Sequence, residues 1–308
     1  MIEIRDLSKR YGSVVAVDGL NFDVLPGRVT GFLGPNGAGK STTMRMIMGL
    51  DRPSTGSARI DGKPYRRLRD PLRRVGALLE AGAAHGGRTA YHHLLWLAQS
   101  NRIGRRRVRE VIELVGLDSV ADKPVGEFSL GMSQRLGIAG ALLGDPDALL
   151  FDEPVNGLDP EGIHWIRTLM RGLAAEGRSV FVSSHLMSEM ALTADHLVVI
   201  GRGRLLADTG MAEFVQRDAS SYTRIRTPEP ERMRQVLDAA GIQVRTGADG
   251  ALEARGPRQR TIGELAAVNG LIVDELSPQA ASLEEAFMRL TAEAVEYHAG
   301  DLPEGGRR

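Results

Sequence analysis

The stretch "VTGFLGPNGAGKSTTMRMIMG", residues 29–49, decides the fold of this chain. Its first part, "VTGFL", is apolar and partly β-branched, as is typical of a buried strand. Its last part, "STTMRMIMG", places apolar residues at helical spacing and ends at a glycine. Between the two, Gly34–Lys40 holds three glycines and one of only four lysines in a chain with 35 arginines. The sequence therefore predicts a glycine-rich loop between a buried strand and a helix.

The glycine-rich loop has the spacing of a phosphate-binding loop. Gly34, Gly39, Lys40 and Ser41 match the pattern G-x-x-x-x-G-K-[ST]. Glycines let backbone amides curve around an anion, and the helix that follows points its free N–H groups at the same place. We expect Lys40, whose compact ammonium fits a ring of amides better than a guanidinium would, to reach the β- and γ-phosphates of a nucleotide, and Ser41 to bind Mg²⁺. An ordinary glycine-rich turn is the alternative, and the flanking strand and helix argue against it.

The composition of the chain excludes several other kinds of protein. Lys and Arg together number 39, as do Asp and Glu, so no net charge attracts nucleic acid. Cysteine is absent, which excludes disulfides and thiolate metal sites and indicates a reducing compartment. The N-terminus lacks the features of a signal peptide, and no apolar run approaches the ~18 residues that would span a bilayer. If the protein works at a membrane, another protein must attach it there.

Strand and helix signals divide the chain into three regions. Residues 1–218 alternate strands with helices, which predicts an α/β domain with a mainly parallel sheet covered on both faces. A helical subdomain is predicted within it, at about residues 85–145. Residues 219–298 predict a small α+β domain with the ferredoxin-like order strand, helix, strand, strand, helix, strand, the last strand lying at Leu271–Asp274. The tail, residues 299–308, is predicted to be disordered.

A second motif places two acidic residues at the end of a predicted strand. "ALLFDEP", Ala148–Pro154, is an apolar run that ends in Asp152 and Glu153. A carboxylate at the carboxyl end of a central strand can hold Mg²⁺ through water, opposite a phosphate loop, and this role is expected of Asp152. Glu153 faces the other way and is expected to orient or deprotonate the attacking water. A solvated acidic turn and a nucleotide switch that holds Mg²⁺ without hydrolysis are the alternatives.

Six motifs in order resemble those of the ATP-binding subunit of an ABC transporter. They are Tyr11 in "KRYG", "GPNGAGKST" as the Walker A loop, "LLFDEP" as the Walker B strand, "FSLGMSQR" (Phe128–Arg135) as the signature motif, "NGLDP" (Asn156–Pro160) as the D-loop and His185 in "SSHL". The resemblance covers about the first 215 residues. It implies the fold of a P-loop NTPase, namely an ABC cassette with a helical subdomain.

The resemblance also implies a role for each motif. In the family, two ATP-binding domains pack head to tail as a homodimer, and the signature motif of one completes the ATP site of the other. Tyr11 would stack on adenine, and Ser129 and Gly131 would donate to the γ-phosphate across the dimer. Asp159 would couple the two sites, and His185 would contact the γ-phosphate and position the water. The candidate cofactor-binding residues are Tyr11, Gly34, Pro35, Asn36, Gly37, Ala38, Gly39, Lys40, Ser41, Thr42, Ser129, Gly131 and Asp159; the candidate catalytic residues are Glu153 and His185; the candidate metal ligands are Ser41, Asp152 and Glu80.

The chain departs from the family pattern at three positions. Leu130 and Met132 replace the usual glycine and glutamine of the signature motif, whereas its serine and second glycine are kept. Glu80 stands where the family has a glutamine that touches Mg²⁺ and the water; a carboxylate there could bind Mg²⁺ but adds negative charge. This variant and "SLGM" resemble the exporter subgroup of antibiotic self-resistance, such as daunorubicin and bacitracin resistance. That subgroup often has an extra C-terminal domain with a "LEE-aromatic" helix, which "SLEEAFMRLT" resembles.

These features predict an ATPase that powers export of an antibiotic or another hydrophobic cargo. It would use ATP and Mg²⁺ as a homodimer, bound to a separate transmembrane subunit at the cytoplasmic face of the membrane. A soluble ABC-type ATPase acting on the ribosome or on nucleic acid is the alternative, and it fits poorly because the chain has one cassette and no long heptad run. A nucleotide-binding regulator without turnover is a third interpretation, against which Glu153 argues.

Two arginine-rich segments, Tyr65–Arg74 and Gly104–Glu110, leave three interpretations open. A solvated helical face is favoured because aromatic stacking partners are almost absent around them. A contact surface for the membrane partner or for lipid headgroups comes second. Nucleic acid, whose phosphates such arginines would contact, comes third.

Overall fold

The structure, a computed structural model, describes residues 1–80, 82, 84–217, 222–247, 249–255, 259–279 and 283–291. They form two compact units, one of Met1–Met211 with the described residues from Leu290 onward, the other of Ala212–Arg289. The predicted boundary between residues 218 and 219 and the tail predicted to be disordered lie outside the described residues.

Strands and helices alternate along the first unit, as the sequence pattern indicates. In chain order the elements are β1 (Ile2–Tyr11), β2 (Val14–Val24), β3 (Arg28–Leu33), α1 (Lys40–Ile47), β4 (Thr55–Ile60), β5 (Val75–Leu78), α2 (Ala90–Ser100), α3 (Arg105–Leu114), α4 (Leu130–Leu142), β6 (Ala148–Asp152), α5 (Pro160–Ala175), β7 (Ser179–Ser184), α6 (Met187–Thr193), β8 (His196–Gly201) and β9 (Arg204–Gly210). The chain continues through α7 (Met211–Arg217), β10 (Tyr222–Arg226), α8 (Pro230–Ala239), β11 (Val244–Thr246), β12 (Leu252–Arg255), α9 (Gln259–Val268), β13 (Glu275–Gln279) and α10 (Leu283–Thr291).

A six-stranded sheet forms the centre of the first unit, in the order β5-β6-β7-β3-β8-β9. The pairs from β5 to β8 are parallel, and only β9 runs antiparallel to its neighbour. Strand β3 lies inside the sheet, and residues 29–33 are all buried, as expected for a strand covered on both faces. The mainly parallel α/β sheet that the sequence predicts is therefore confirmed.

The carboxyl ends of three neighbouring strands meet at one edge of this sheet. Leu33 at the end of β3 pairs with Ser184 on β7, and Asp152 at the end of β6 pairs with Ser183. The phosphate loop follows β3, the acidic pair ends β6, and His185 follows β7. Since ligands of open α/β sheets bind outside the carboxyl ends of the strands, the fold gathers the predicted site at the expected edge.

A smaller antiparallel sheet, in the order β2-β1-β4, shares a hydrophobic core with the central sheet. Its Phe22 meets Phe32 and Phe181 of the central sheet, with ring centroids 5.7 Å away in both cases, and those two rings are 5.0 Å apart. Phe32 and Phe181 are fully buried on the adjacent strands β3 and β7. Phe32 lies just before the glycine-rich loop, and Phe181 lies just before the serines that end β7. This aromatic cluster anchors the strands that carry the site.

Helices α2, α3 and α4 lie within the stretch predicted to form a helical subdomain. Two glycines let α4 approach β5 closely. A Cβ added at Gly76 would lie 1.9 Å from the carbonyl oxygen of Ala141, and one at Gly137 would lie 2.5 Å from Leu78 Cδ1. Larger residues at these positions would push α4, which begins in the signature motif, away from the sheet.

The second unit contains an antiparallel sheet in the order β11-β12-β10-β13. Its elements follow the predicted order, and α8 and α9 supply apolar side chains such as Met233 and Ile262 to the core over the sheet. The predicted last strand at Leu271–Asp274 is wrong, because the strand that pairs with β10 is Glu275–Gln279. In Leu271–Asp274, Leu271 is buried and Ile272 is exposed. This alternation of buried and exposed residues arises because a loop packs one side chain into the core, and not because the segment pairs with another strand.

The helices are short compared with the thickness of a bilayer. The longest in the described part of the chain, α5, has 16 residues, whereas a spanning helix needs about 20 apolar ones. No helix in that part is long and apolar enough to cross a membrane.

Candidate functional site

The loop after β3 takes a shape that requires its glycines. Gly37 and Gly39 have φ angles of 80° and 102°, which lie in the left-handed region that favours glycine. A Cβ at Gly39 would lie 2.5 Å from the carbonyl oxygen of Ala16, and one at Gly34 would lie 2.5 Å from that of Ile200. The backbone therefore passes so close to β2 and β8 that side chains at these two positions would collide with main-chain atoms.

Helix α1 begins at the loop without a side-chain cap on its first turn. Its N-cap residue is Gly39, no acidic residue lies in the first turn, and the first N–H groups of a helix have no intrahelical partner. The loop borders an open cavity of about 410 Å³. Its walls are Ala16, Asn36, Gly37, Ala38, Gly39, Lys40, Ser41, Thr42, Glu153, Asn156 and His185. Free amides at the positive end of a helix suit an anion in this cavity.

Lys40 is held inside the loop. Its Nζ donates to the carbonyl oxygens of Gly34 at 2.6 Å and Pro35 at 3.3 Å, and it lies 3.9 Å from Glu153 Oε1. The side chain is only 7% exposed. Burial lowers the pKa of Lys40, and the nearby carboxylates of Glu153 and Asp152 oppose that shift. The Lys40 ammonium is buried, and its partners are carbonyl oxygens and one carboxylate at 3.9 Å. A phosphate, which carries more negative charge than a carbonyl oxygen, would bind it more strongly.

We predict that Gly39→Ala weakens ATP binding by about tenfold or more, because a methyl group would displace the loop. Gly177→Ala is the matched control, since Gly177 also has a left-handed φ, 93°, but a Cβ there meets no atom within 4 Å. Both variants should lose about 1–2 kcal/mol of folding free energy from the backbone conformation. Urea unfolding and an ATP titration separate the two effects. Equal ATP affinity in the two variants would exclude the steric role of Gly39.

The two acidic residues at the end of β6 are held by a serine of the next strand. Ser183 on β7 donates its hydroxyl hydrogen to Asp152 Oδ1 and accepts the backbone N–H of Glu153 at 2.9 Å. Glu153 has a φ of 50°, in the left-handed region, so the chain leaves the strand sharply at this residue. Gln134 of α4 donates from Nε2 to the carbonyl oxygen of Glu153 at 3.2 Å. Both backbone polar groups of Glu153 therefore bond to side chains.

The carboxylate of Glu153 lies between the two predicted partners of a terminal phosphate. His185 Nδ1 lies 2.6 Å from Glu153 Oε2, and the ring N–H donates to the carboxylate. Lys40 lies on the side of Oε1. The three side chains line the same cavity, as the motif order predicts for a lysine, a general base and a histidine around a phosphate.

The candidate metal ligands line a second cavity. Ser41, Glu80 and Asp152 border this space of about 550 Å³ between α1, β5 and α4. The residues that the structure describes contain no group of three or more acidic or histidine side chains able to hold a metal alone. A hydroxyl with one or two carboxylates fits Mg²⁺, which usually binds few protein groups and shares substrate phosphates. Glu80 is exposed and also contributes, after Asp51, to raising the pKa of Arg45.

Tyr11 lies beside the far end of the phosphate loop. Its hydroxyl donates to Asp51 Oδ2 at 3.0 Å, and Lys9 Nζ lies 4.8 Å from the ring centroid. Burial and then the bond to Asp51 raise the pKa of Tyr11, whose hydroxyl also lies near that of Thr42. Tyr11 is 47% exposed, and the ammonium of Lys9 lies over its ring.

Three residues of the signature motif and the D-loop that are expected to act on nucleotide lie outside the phosphate cavity of the same chain. Among the residues that the structure describes, Ser129, Gly131 and Asp159 do not line either cavity. Ser129 is the N-cap of α4 and accepts the N–H of Met132 at 3.2 Å, while Asp159 caps α5 through Gly162 N–H at 2.8 Å. This placement agrees with the expectation that they serve the site of a second chain.

The leucine that departs from the signature pattern contacts the D-loop. A Cβ added at Gly157 would lie 2.3 Å from Leu130 Cδ2 and 2.4 Å from its Cγ. Gly157 also has a φ of 76°. The glycine of "NGLDP" thus makes room for the side chain of Leu130, which is otherwise 60% exposed.

Sequence reasoning missed three residues of the site. Ser183 and Gln134 hold Glu153, and Asn156 lines the phosphate cavity. For Ser183 and Gln134, the sequence feature that could have indicated a role in the site was a polar residue within an apolar segment. Ser183 lies in the buried strand "SVFVSS", and Gln134 is 3% exposed on α4.

The arginine-rich segments make contacts within the chain. Arg66 donates to the carbonyl oxygen of Gly49, Arg74 pairs with Asp147 at 3.0 Å, and Arg107 donates to the carbonyl oxygen of Leu142. Only the second segment contributes to a helix, α3, whereas Tyr65–Arg74 contains two short 3₁₀ turns, Tyr65–Arg67 and Pro71–Arg73.

Comparison with known proteins places the chain among ATP-binding cassettes. The family model described as "ABC transporter" matches residues 17–156, and one described as a domain of unknown function (DUF8746) matches residues 221–284. The chain is 37% identical to the bacitracin transport ATP-binding protein BcrA of Bacillus licheniformis, over 94% of this chain and 97% of that protein. It is 36% identical to the Nod factor export ATP-binding protein I of Burkholderia orbicola (strain AU 1054), over 77% and 80%.

A solved structure supports the fold independently. The dimeric post-hydrolysis state of the ATP-binding cassette MJ0796, bound to ADP and Pi, matches with a TM-score of 0.63 and 24% identity. The match covers 68% of this chain and 99% of that chain. At this identity the likeness concerns the fold alone.

The parallel sheet, the glycine loop at the start of α1 and the acidic end of β6 define a P-loop nucleotide-binding domain. The similarity to BcrA over almost the whole length then decides the family. The chain belongs to the ATP-binding proteins of ABC transporters, whose ligand is ATP and whose reaction is ATP hydrolysis. The resemblance drawn from the motifs is confirmed.

Proposed function

We propose that this chain hydrolyses ATP at the loop Gly34–Thr42 and powers export through a separate membrane subunit. The observation that carries the proposal is the single cavity that brings Lys40, Glu153 and His185 to the N-terminus of α1. Lys40 and the free amides bind the terminal phosphates, and Tyr11 stacks on the adenine. This arrangement holds the γ-phosphate of ATP where a water can attack it in line.

Glu153 accepts the proton of the attacking water. Its Oε2 contacts His185 and its backbone is fixed on both sides, so the carboxylate has one orientation toward the cavity. His185 orients that carboxylate and donates to the γ-phosphate once nucleotide is present. Ser41, Asp152 and Glu80 would hold Mg²⁺, which supplies charge neutralisation for the phosphates.

A second copy of the chain completes the site. Ser129 and Gly131 lie at the exposed start of α4, where N–H groups and a hydroxyl can bind the γ-phosphate of the partner's nucleotide. Asp159, at the start of α5, connects the two sites. The dimeric state of MJ0796 with ADP and Pi supports this assembly. ATP drives closure because it binds the closed dimer more tightly than the open chains.

The names of two similar proteins support a role in export. BcrA is named for bacitracin transport and the Burkholderia protein for Nod factor export. We assign this chain to the export of an antibiotic or another hydrophobic cargo, at the cytoplasmic face of the membrane, where ATP is available. Residues 1–218 act as the ATP-binding domain and 219–298 as an accessory domain.

Mixing two inactive variants tests the head-to-tail site. Lys40→Ala removes the phosphate lysine but keeps Ser129, and Ser129→Ala does the reverse. Each variant alone should lose at least about tenfold in turnover. If the signature serine acts across the dimer, a mixed pair has one intact site, so the mixture should exceed the mean of the two variants.

The control mixture pairs Lys40→Ala with the double variant Lys40→Ala/Ser129→Ala, which cannot form an intact site. The rate of phosphate release is measured for both mixtures at equal total protein concentration. A mixture of the single variants that never exceeds their mean would contradict the shared site.

A further inference from the structure

Ser183 is a buried serine that contacts both acidic residues of the site. It is fully buried on β7, directly opposite Asp152 in the parallel pairing with β6. Its hydroxyl donates to Asp152 Oδ1 and accepts the N–H of Glu153 at 2.9 Å. One side chain thus joins the expected metal ligand to the expected general base.

The directions of these two bonds are fixed by chemistry. A hydroxyl has one hydrogen, and a backbone N–H can only donate. Ser183 accepts the N–H of Glu153 on its oxygen and donates its single hydroxyl hydrogen to Asp152. The bond uses Oδ1 and leaves the other oxygen of Asp152, Oδ2, for a cation or a metal-bound water.

The same serine maintains an uncommon backbone turn. Glu153 has a φ of 50°, a conformation that residues other than glycine rarely adopt. The β6–β7 ladder ends at Asp152 and Ser183, so the N–H of Glu153 finds its partner in a side chain. Without that hydroxyl, a half-buried amide next to the site would lose its hydrogen bond, and only the bonds of Gln134 and Asn156 N–H to the carbonyl oxygen of Glu153 would still hold this turn.

We propose that Ser183 is a positioning residue for ATP hydrolysis, acting on Asp152 and Glu153 without touching the nucleotide. This inference rests on the function proposed above, in which Asp152 holds Mg²⁺ and Glu153 accepts the proton of the water. Loss of the hydroxyl frees the Asp152 carboxylate to rotate, which weakens the Mg²⁺ site. It also loosens the Glu153 turn, which slows the chemical step.

The test compares Ser183→Ala with Ser179→Ala. Ser179 is a matched control because it is also fully buried on β7 but has an unpaired hydroxyl at the opposite end of the strand. The measurements are the rate of phosphate release as a function of Mg²⁺ concentration and the affinity for ATP in EDTA. For Ser183→Ala we expect a rate lower by roughly tenfold to a hundredfold and a severalfold higher Mg²⁺ requirement, with Mg²⁺-free ATP affinity unchanged.

Ser179→Ala should match the wild type in all three quantities. If Ser183→Ala fails to fold, Ser183→Cys replaces it, since a thiol of similar size is a weaker donor and acceptor. The same shift in Mg²⁺ requirement is then expected.

Two results would overturn the inference alone. One is a wild-type rate and Mg²⁺ requirement in the Ser183 variant. The other is a lower rate with an unchanged Mg²⁺ requirement and a parallel loss of ATP affinity, which indicates general damage. If the wild type itself releases no phosphate from MgATP in this assay, the proposed function fails, and the inference fails with it.

Discussion

Glu153→Gln is expected to lower the rate of ATP turnover by about 10²- to 10⁴-fold while ATP binding is retained. The substitution keeps the size of the side chain but removes its ability to accept a proton. The backbone bonds of Glu153 to Ser183 and Gln134 do not involve the carboxylate, so the turn should persist. The amide can still bond to His185 through its oxygen, which preserves the shape of the cavity.

Glu176→Gln is the control for this prediction. Glu176 is an exposed carboxylate that pairs with Arg178 at 2.8 Å, at the end of α5 away from the phosphate loop. Single-turnover phosphate release measures the chemical step, and a nucleotide titration measures binding. A Glu153→Gln variant that releases phosphate at the rate of Glu176→Gln would show that another group activates the water.

The phosphate loop and the acidic pair could be predicted because their chemistry depends on residues close in sequence. A strand, three glycines, a lysine and a helix start fix the loop locally, and φ angles of 80° and 102° at Gly37 and Gly39 explain two of the glycines. Pairing of parallel strands then brings Asp152 and His185 to the same edge, as the alternation of strands and helices indicates.

The supporting contacts could not be predicted, because they depend on register between distant segments. Ser183 meets Asp152 only because β6 and β7 pair in one register, 31 residues apart in sequence. Gln134 reaches Glu153 because α4 packs closely on β5, which requires glycine at Gly76 and Gly137. The sequence near each of these residues gives no information about such contacts between distant segments.

The second unit shows a different limit of pattern reasoning. The sequence "LIVD" alternates like a strand, yet β13 follows it at Glu275–Gln279. That strand contains Pro278, which cannot donate to a ladder and is tolerated because β13 lies at the edge of its sheet. Intrinsic β-propensity therefore favoured Leu271–Asp274, whereas the pairing with β10 places the strand at Glu275–Gln279.

Lys40→Ala should weaken ATP binding by about 2–5 kcal/mol, roughly 30-fold or more. The ammonium is buried among the carbonyl oxygens of Gly34 and Pro35, where a phosphate would replace weak partners with a strong one. Folding should be kept, because burial already disfavours the charged form of Lys40, as the lowering of its pKa indicates. Alanine removes that cost together with the charge.

Lys63→Ala is the control, since Lys63 is an exposed lysine that does not line the phosphate cavity. Thermal unfolding of both variants checks that the fold is intact before binding is compared. A Lys40→Ala variant with the ATP affinity of Lys63→Ala would remove the lysine from the phosphate site.

We propose that the backbone amides and the lysine of Gly34–Thr42 bind the terminal phosphates of ATP. The most direct measurement is an equilibrium titration of ATP, with and without Mg²⁺, on the wild type and on Lys40→Ala and Lys63→Ala. We expect Mg²⁺-dependent binding in the wild type and Lys63→Ala, and an ATP affinity lower by roughly 30-fold or more in Lys40→Ala. Binding that is absent from the wild type, or equally tight in all three proteins, would contradict this proposal.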